Sequence, residues 1–185
     1  MATNVTSNSV EFFSNILKSK EDSLEQALKR IEKYNTETIP YKASLKKPKI
    51  LEPMDPDKVE EVIGLRRQID AYRFIINGLN DSDNVINPKE SMADLIAYLG
   101  IINKRRKTEE IRLFHAKERL RKKIEHIKEV KKKKPEKYGN VLDKLSNENG
   151  NSEIKNNKMK IFHYNVAVDI LERSIDKKVE KISHN

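Results

Sequence analysis

Cysteine and tryptophan are absent from the 185 residues, glycine occurs five times, proline six times, and aromatic side chains make up 6% of the chain. The lack of cysteine removes any disulfide framework, thiolate nucleophile or thiolate metal site and fits a reducing compartment, the cytosol or the nucleus. So few glycines leave little material for tight turns, and the shortage of aromatics argues against large buried sheets. Hydrophobic residues reach only 36%, matched by 36% charged residues, so the core must be thin. No stretch approaches the roughly 18 apolar residues that span a bilayer, and residues 1–17 hold no basic residue ahead of an apolar run. A chain that is neither exported nor inserted in a membrane is the expectation.

Patterns that carry chemistry are scarce as well. His115, His126, His163 and His184 do not pair at the i, i+4 spacing that sets two imidazoles on one helical face, and no HExxH occurs. The carboxylates Glu109, Glu110, Glu125 and Glu129 lie beside Lys and Arg at helical spacing, which reads as surface ion pairing rather than acid/base catalysis. The glycines at 64, 78, 100, 139 and 150 build neither GxGxxG nor GxxxxGK[ST], so no familiar phosphate cradle is formed. The expectation is a chain that is not an enzyme and takes no cofactor and no metal.

What remains is helical periodicity, and it predicts an all-α fold of four amphipathic helices, extended or loosely bundled, with coiled-coil-like seams. Residues 1–34 read as one helix, capped at Asn8 or Ser9, with Val10, Phe13, Leu17, Leu24, Leu28 and Ile31 at helical steps. Pro40, Pro48, Pro53 and Pro56 make 35–56 a linker. The acidic cap Asp55 before Pro56 opens a second helix over 57–81, where Val62, Leu65, Ile69, Tyr72, Ile76 and Leu79 follow in heptad steps. That seam serves either the chain's own helices or a separate partner.

Asn87-Pro88 is the expected start of a long basic helix over 87–146. Its first part, to Ile102, is apolar enough to pack, and its second is a charged arm with a narrow stripe of Leu113, Leu120, Ile124, Ile127 and Val130. Polar, Asn-rich residues 147–157 predict a disordered loop. A last helix over 158–185 is expected to turn Met159, Phe162, Val166, Ile170, Leu171, Ile175, Val179 and Ile182 inward.

The net charge of +9 comes from one segment: residues 103–146 hold 17 basic and 7 acidic side chains, a net +10. Such a run is either a solvated helix face or the contact for an acidic partner. Lys104, Arg105, Arg106, Lys107, Arg119, Arg121, Lys122 and Lys123 are the candidates for contact with nucleic acid or an acidic protein. With only Phe114 and Tyr138 as aromatics in the segment, phosphate contact would outweigh base stacking. Lys131, Lys132, Lys133 and Lys134, followed by Pro135, and the cluster at 104–107 have the form of nuclear-localisation signals, so a nuclear location is expected. A membrane partner is not expected, since the basic helix lacks a broad apolar face.

Within the second helix, Leu65, Arg66, Gln68, Ile69, Ala71, Tyr72, Arg73, Ile75 and Gly78 fit the frame L-R-x-Q-I-x-A-Y-[RK]-x-[IL]-x-x-G. This resembles the Gln-Leu-Gln (QLQ) motif near the N-terminus of SWI/SNF-type chromatin-remodelling ATPases, over about 14 positions. Glu61-Val62 replaces the upstream glutamine slot, and Leu79-Asn80-Asp81 the proline-rich exit. The basic helix from Asn103, with the later Lys158 to His163 and Glu172-Arg173, is loosely similar to the HSA region of the same proteins, which in that family carries actin and actin-related proteins. The resemblance implies a nuclear scaffold of a chromatin-remodelling assembly. Its partners would be remodeller subunits or actin-related proteins, docked through Leu65, Gln68, Ile69, Ala71, Tyr72 and Arg73, with any ATPase motor lying elsewhere. A nucleic-acid-binding or ribonucleoprotein structural protein, its basic helix on phosphates, is the alternative.

Overall fold

A computed structural model describes residues 2–34, 56–81, 89–133 and 151–183, without the side chains of 2–5, 131 and 133. Among them the fold is all-α, as expected: α1 (Ala2–Lys33), α2 (Pro56–Asn80), α3 (Met92–Lys133) and α4 (Ser152–Ser183), with no strand. The linker at 35–55 and residues 134–150, which include the end expected for the basic helix and the first part of the Asn-rich loop, lie outside the described residues.

Three helix starts differ from the sequence expectation, each for a local reason. α1 begins at Ala2, and Ser9, expected as a cap, is fully buried one turn before Phe13 on the same face. α3 begins at Met92 rather than at Asn87-Pro88 because Ser91 and Asp94 form a reciprocal cap. The Ser91 hydroxyl accepts from the Asp94 amide at 3.1 Å while the Asp94 carboxylate accepts from the Ser91 amide at 3.2 Å. A further hydrogen bond from the Ser91 hydroxyl holds the Asp94 carboxyl below its ordinary range. α4 begins six residues before the expected 158, because the Asn151 side-chain oxygen Oδ1 accepts from the amides of Glu153 and Ile154 at 3.1 and 3.3 Å. Residues 152–157 are therefore helical, and Ile154 is fully buried.

The chain divides into two compact units, residues 1–98 with 173–185, and residues 99–172. In the first, α1 and α2 run antiparallel: Glu21 accepts from Arg73 at 2.7 Å, and Glu61 faces Arg30 at 3.8 Å. Between these pairs Ala27, Val62 and Leu65 form a core with Leu24 and Ile31 packed on it. Leu28, expected on that face, is exposed, and Ala27 takes its place. The Phe13 and Tyr72 rings stack at 6.1 Å.

α2 is buried on a second side too, along Ala71, Phe74, Ile75 and Gly78, and Phe74 meets Tyr98 of α3 at 6.0 Å between ring centroids. The remaining face of α2, with Glu60, Arg66, Arg67, Asp70 and Arg73, is exposed and charged, so the helix is amphipathic with a wide buried side. Lys178 of α4 donates its ammonium to the carbonyl of Glu90, which ties the end of α4 to the segment before α3.

The second unit is an antiparallel hairpin of α3 and α4, since Arg106 reaches Asn165 while Arg119 reaches Glu153. Ile102, Ala116 and Leu120 on α3 are buried in it, as are Ile154, Tyr164, Val168 and Leu171 on α4. On α4 the inward positions Ile154, Asn157, Ile161, Tyr164, Val168 and Leu171 follow steps of three and four, a heptad seam. Of the side chains that the sequence expectation turned inward, Ile170 and Leu171 are buried. Met159, Phe162, Val179 and Ile182, expected inside, are exposed.

Candidate basic interface

α3 is long because nothing interrupts it from the Ser91 cap to Lys133, and its 42 residues reach about 63 Å. The register of the hairpin decides which of its charges remain for a partner. Arg119 donates to Glu153 at 2.5 Å, so α4 begins level with that turn, and residues 122–133 of α3 run on past the first residue of α4 for about 18 Å. The free charged arm expected from residue 103 onward is therefore covered by α4 on one side up to the cluster of Ala116, Leu120 and Ile154.

The candidate cations separate into two sets. Arg106 is half-buried, donates to Asn165 at 3.3 Å and faces Glu110 at 3.8 Å, so it belongs to the hairpin. Arg119 is committed to Glu153, and Arg121 is held between Glu118 at 3.1 Å and Glu125 at 3.0 Å. The hydrogen bond that Arg121 donates to Glu118 is the main reason that the Arg121 guanidinium is held still more firmly protonated than usual. Charge at these three positions is largely answered within the chain. Arg105 is exposed. Lys104, Lys107, Lys122, Lys123 and Lys128 are exposed and carry no carboxylate partner among the described residues. Lys104 and Lys122 are five helical turns apart on the same outer strip, about 27 Å, with Lys107 a turn from the first. Of the expected localisation cluster, Lys132 is exposed, Lys131 and Lys133 lie in the last turn of α3, and Lys134 is outside the described residues.

Near the middle of the hairpin the seam of α3 turns polar. Glu109 is buried, accepts from Arg112 at 2.6 Å and faces Lys160 of α4 at 3.7 Å. The buried side-chain oxygen Oδ1 of Asn103 and Arg106 Nε lie in the same stretch with no hydrogen-bond partner. His163 is buried beside Tyr164, and loss of solvent pushes its pKa below the ordinary histidine range.

The residues taken from the QLQ-like frame lie on α2. Leu65, Ile69, Ala71 and Tyr72 are buried, Arg73 is paired with Glu21, and the Gln68 amide donates to the Gly64 carbonyl at 3.2 Å. In this fold the apolar side chains of that seam serve the α1–α2 core rather than an open docking surface. The physical reason is the length of α1, whose face through Phe13, Leu24, Ala27 and Ile31 lies on them.

Sequence reasoning missed an exposed apolar set on the hairpin. Ile111 is 49% and Phe114 62% exposed on α3, and Met159 is 50% and Phe162 46% exposed on α4. The signal was available: Ile111 falls on the helix face opposite the Leu113–Leu120 stripe, and Phe114 lies roughly 100° from it.

No protein-family model, curated protein or solved structure matches the chain. Among the described residues no group of three or more His, Asp or Glu is placed to hold a metal ion, and no helix is long and apolar enough to cross a membrane.

Proposed function

We propose that the chain is a non-catalytic helical assembly module that docks an acidic protein surface through the outer strip of α3. The observation that carries this reading is the division of the cations. Elsewhere on the hairpin arginines are matched by carboxylates, whereas Lys104, Lys107, Lys122 and Lys123 are left exposed without one among the described residues. Unmatched charge on a rigid helix costs self-repulsion and is relieved by an acidic partner. The resemblance of residues 65–78 to the QLQ motif and the two basic clusters support a nuclear setting within a chromatin-remodelling assembly, with remodeller subunits or actin-related proteins as partners. The burial of Leu65, Ile69, Ala71 and Tyr72 moves the proposed contact from α2 to α3.

The test replaces Lys104, Lys107, Lys122 and Lys123 together with glutamine. Capture of protein partners from nuclear extract is expected to be lost while helicity by circular dichroism is unchanged; undiminished capture sinks the reading. The second reading, a nucleic-acid partner, is favoured by the overhang of residues 122–133, where lysines lie beyond the end of α4 and could follow a phosphate backbone. It predicts steep salt dependence of duplex binding, and loss of four phosphate contacts lowers the log–log slope by about 3.6. Protein docking with a shallow salt slope supports the first reading.

A further inference from the structure

The apolar stripe of α3 outlasts its partner helix. Ile124 packs on the cluster of Ala116, Leu120 and Ile154 at the start of α4, and the half-buried Ile127 and Val130 carry the stripe on along residues 122–133. A groove of about 330 Å³ lies against Leu120 and Ile124, between Lys117, Arg121 and Lys128. The Arg119–Glu153 pair fixes α4 at the base of this stretch, so a chain that leaves α3 at Lys133 must come back about 18 Å to the Asn151 cap. It has 17 residues, 134–150, in which to do so. An α-helical return over that distance takes about 12 of them, an extended one about six.

We propose that residues 138–149 return along α3 as an antiparallel helix and cover Ile124, Ile127 and Val130, so that the overhang is a two-helix arm. Tyr138, Val141, Leu142 and Leu145 stand at i, i+3, i+4 and i+7, one apolar face of the length the stripe needs. Pro135 cannot continue α3 and leaves residues 134–137 for the reversal, while Gly150 and the Asn151 cap make the return a helix separate from α4. At the same rise per residue the return sets Leu145 level with Ile127 and Leu142 level with Val130. Charge selects this occupant over a second copy of the chain. Residues 122–134 hold seven basic and two acidic side chains and would repel their like, whereas residues 136–149 hold two basic and three acidic. The inference stands apart from the partner proposed for the outer strip, because Lys104, Lys107 and Lys122 lie on the far side of α3 from the covered stripe.

The chain lacks cysteine, so introduced pairs report the contact in the full protein. Ile127→Cys/Leu145→Cys is expected to close an intramolecular disulfide at least about tenfold faster than Glu129→Cys/Leu145→Cys, which has nearly the same tether but a cysteine on the opposite face of α3. Amide hydrogen exchange gives the second readout. Leu142→Ser/Leu145→Ser is expected to speed exchange of the 124–130 amides at least about tenfold and to leave those of 102–116 unchanged. Equal closure rates for the two cysteine pairs, or unchanged exchange at 124–130 in the serine variant, overturn the proposal and leave the stripe to a separate partner. Disulfides that join two chains rather than closing one overturn it in favour of a second copy.

Discussion

At the scale of single residues, the positions whose behaviour is easiest to anticipate are those where the side chain has one dominant surrounding. A Cβ added at Gly64 or Gly100 would meet nothing within 4 Å, and both glycines sit inside helices. Alanine at either site is expected to raise stability by about 1 kcal/mol, since glycine gives up more backbone freedom on folding. Thermal denaturation of Gly64→Ala and Gly100→Ala checks this, and a loss at either site contradicts it. His163, only 5% exposed, is the residue-scale source of pH dependence. Burial lowers its pKa, so the unfolded chain binds the proton more readily than the folded one. Its contribution is fully favourable above the unfolded value of about 6.5 and is lost progressively as pH falls below it. Denaturant midpoints between pH 7 and 5 should decline, and His163→Gln should flatten that decline.

At the scale of the helix, caps and seams set the boundaries. Removing the side-chain oxygen in Ser91→Ala or Asn151→Ala is expected to cost about 1 kcal/mol each and to fray the first turn of α3 or α4, a change that amide hydrogen exchange resolves. The α2 seam gives a larger effect. Tyr72 is fully buried and stacked on Phe13, so Tyr72→Ala is expected to cost about 3–5 kcal/mol by creating a cavity in the α1–α2 core. A chemical-denaturation series measures it, and a loss below 1 kcal/mol would show that the core is not formed in solution. For this reason a Tyr72 substitution reports on folding first and on partner binding only second. The Arg106–Glu109 stretch has the opposite character, since leucines there should raise stability while loosening the register that polar seam positions specify. The absence of native cysteine makes disulfide trapping of alternative α3–α4 registers a clean readout.

At the scale of the molecule, the relevant quantity is where charge is left over after folding. The sequence places a net +10 in residues 103–146, yet Arg106, Arg112, Arg119 and Arg121 are each engaged by a carboxylate. Lys104, Lys107, Lys122, Lys123 and Lys128, with compact and strongly hydrated ammonium groups, are exposed and have no carboxylate partner among the described residues. Added salt should therefore weaken association with an acidic partner far more than it weakens the fold. Comparing partner affinity and melting temperature at 50 and 300 mM salt tests this, and parallel loss of both contradicts it.

The sequence by itself determined the all-α class, the start of α2 at Pro56 and the location of the charge, because heptad spacing, proline and charge runs are local properties of the chain. Which stripe of α4 faces inward was not legible, since its apolar residues occupy more than one helical phase and only the partner helix selects Ile154, Ile161, Tyr164 and Leu171 over Met159 and Phe162. The same holds for α2, whose seam from Val62 to Leu79 is compatible with an internal or an external partner until α1 is seen lying on it. Tertiary structure alone decided which cations are matched, because an ion pair such as Arg119–Glu153 joins residues 34 positions apart whose meeting depends on the antiparallel register of two helices.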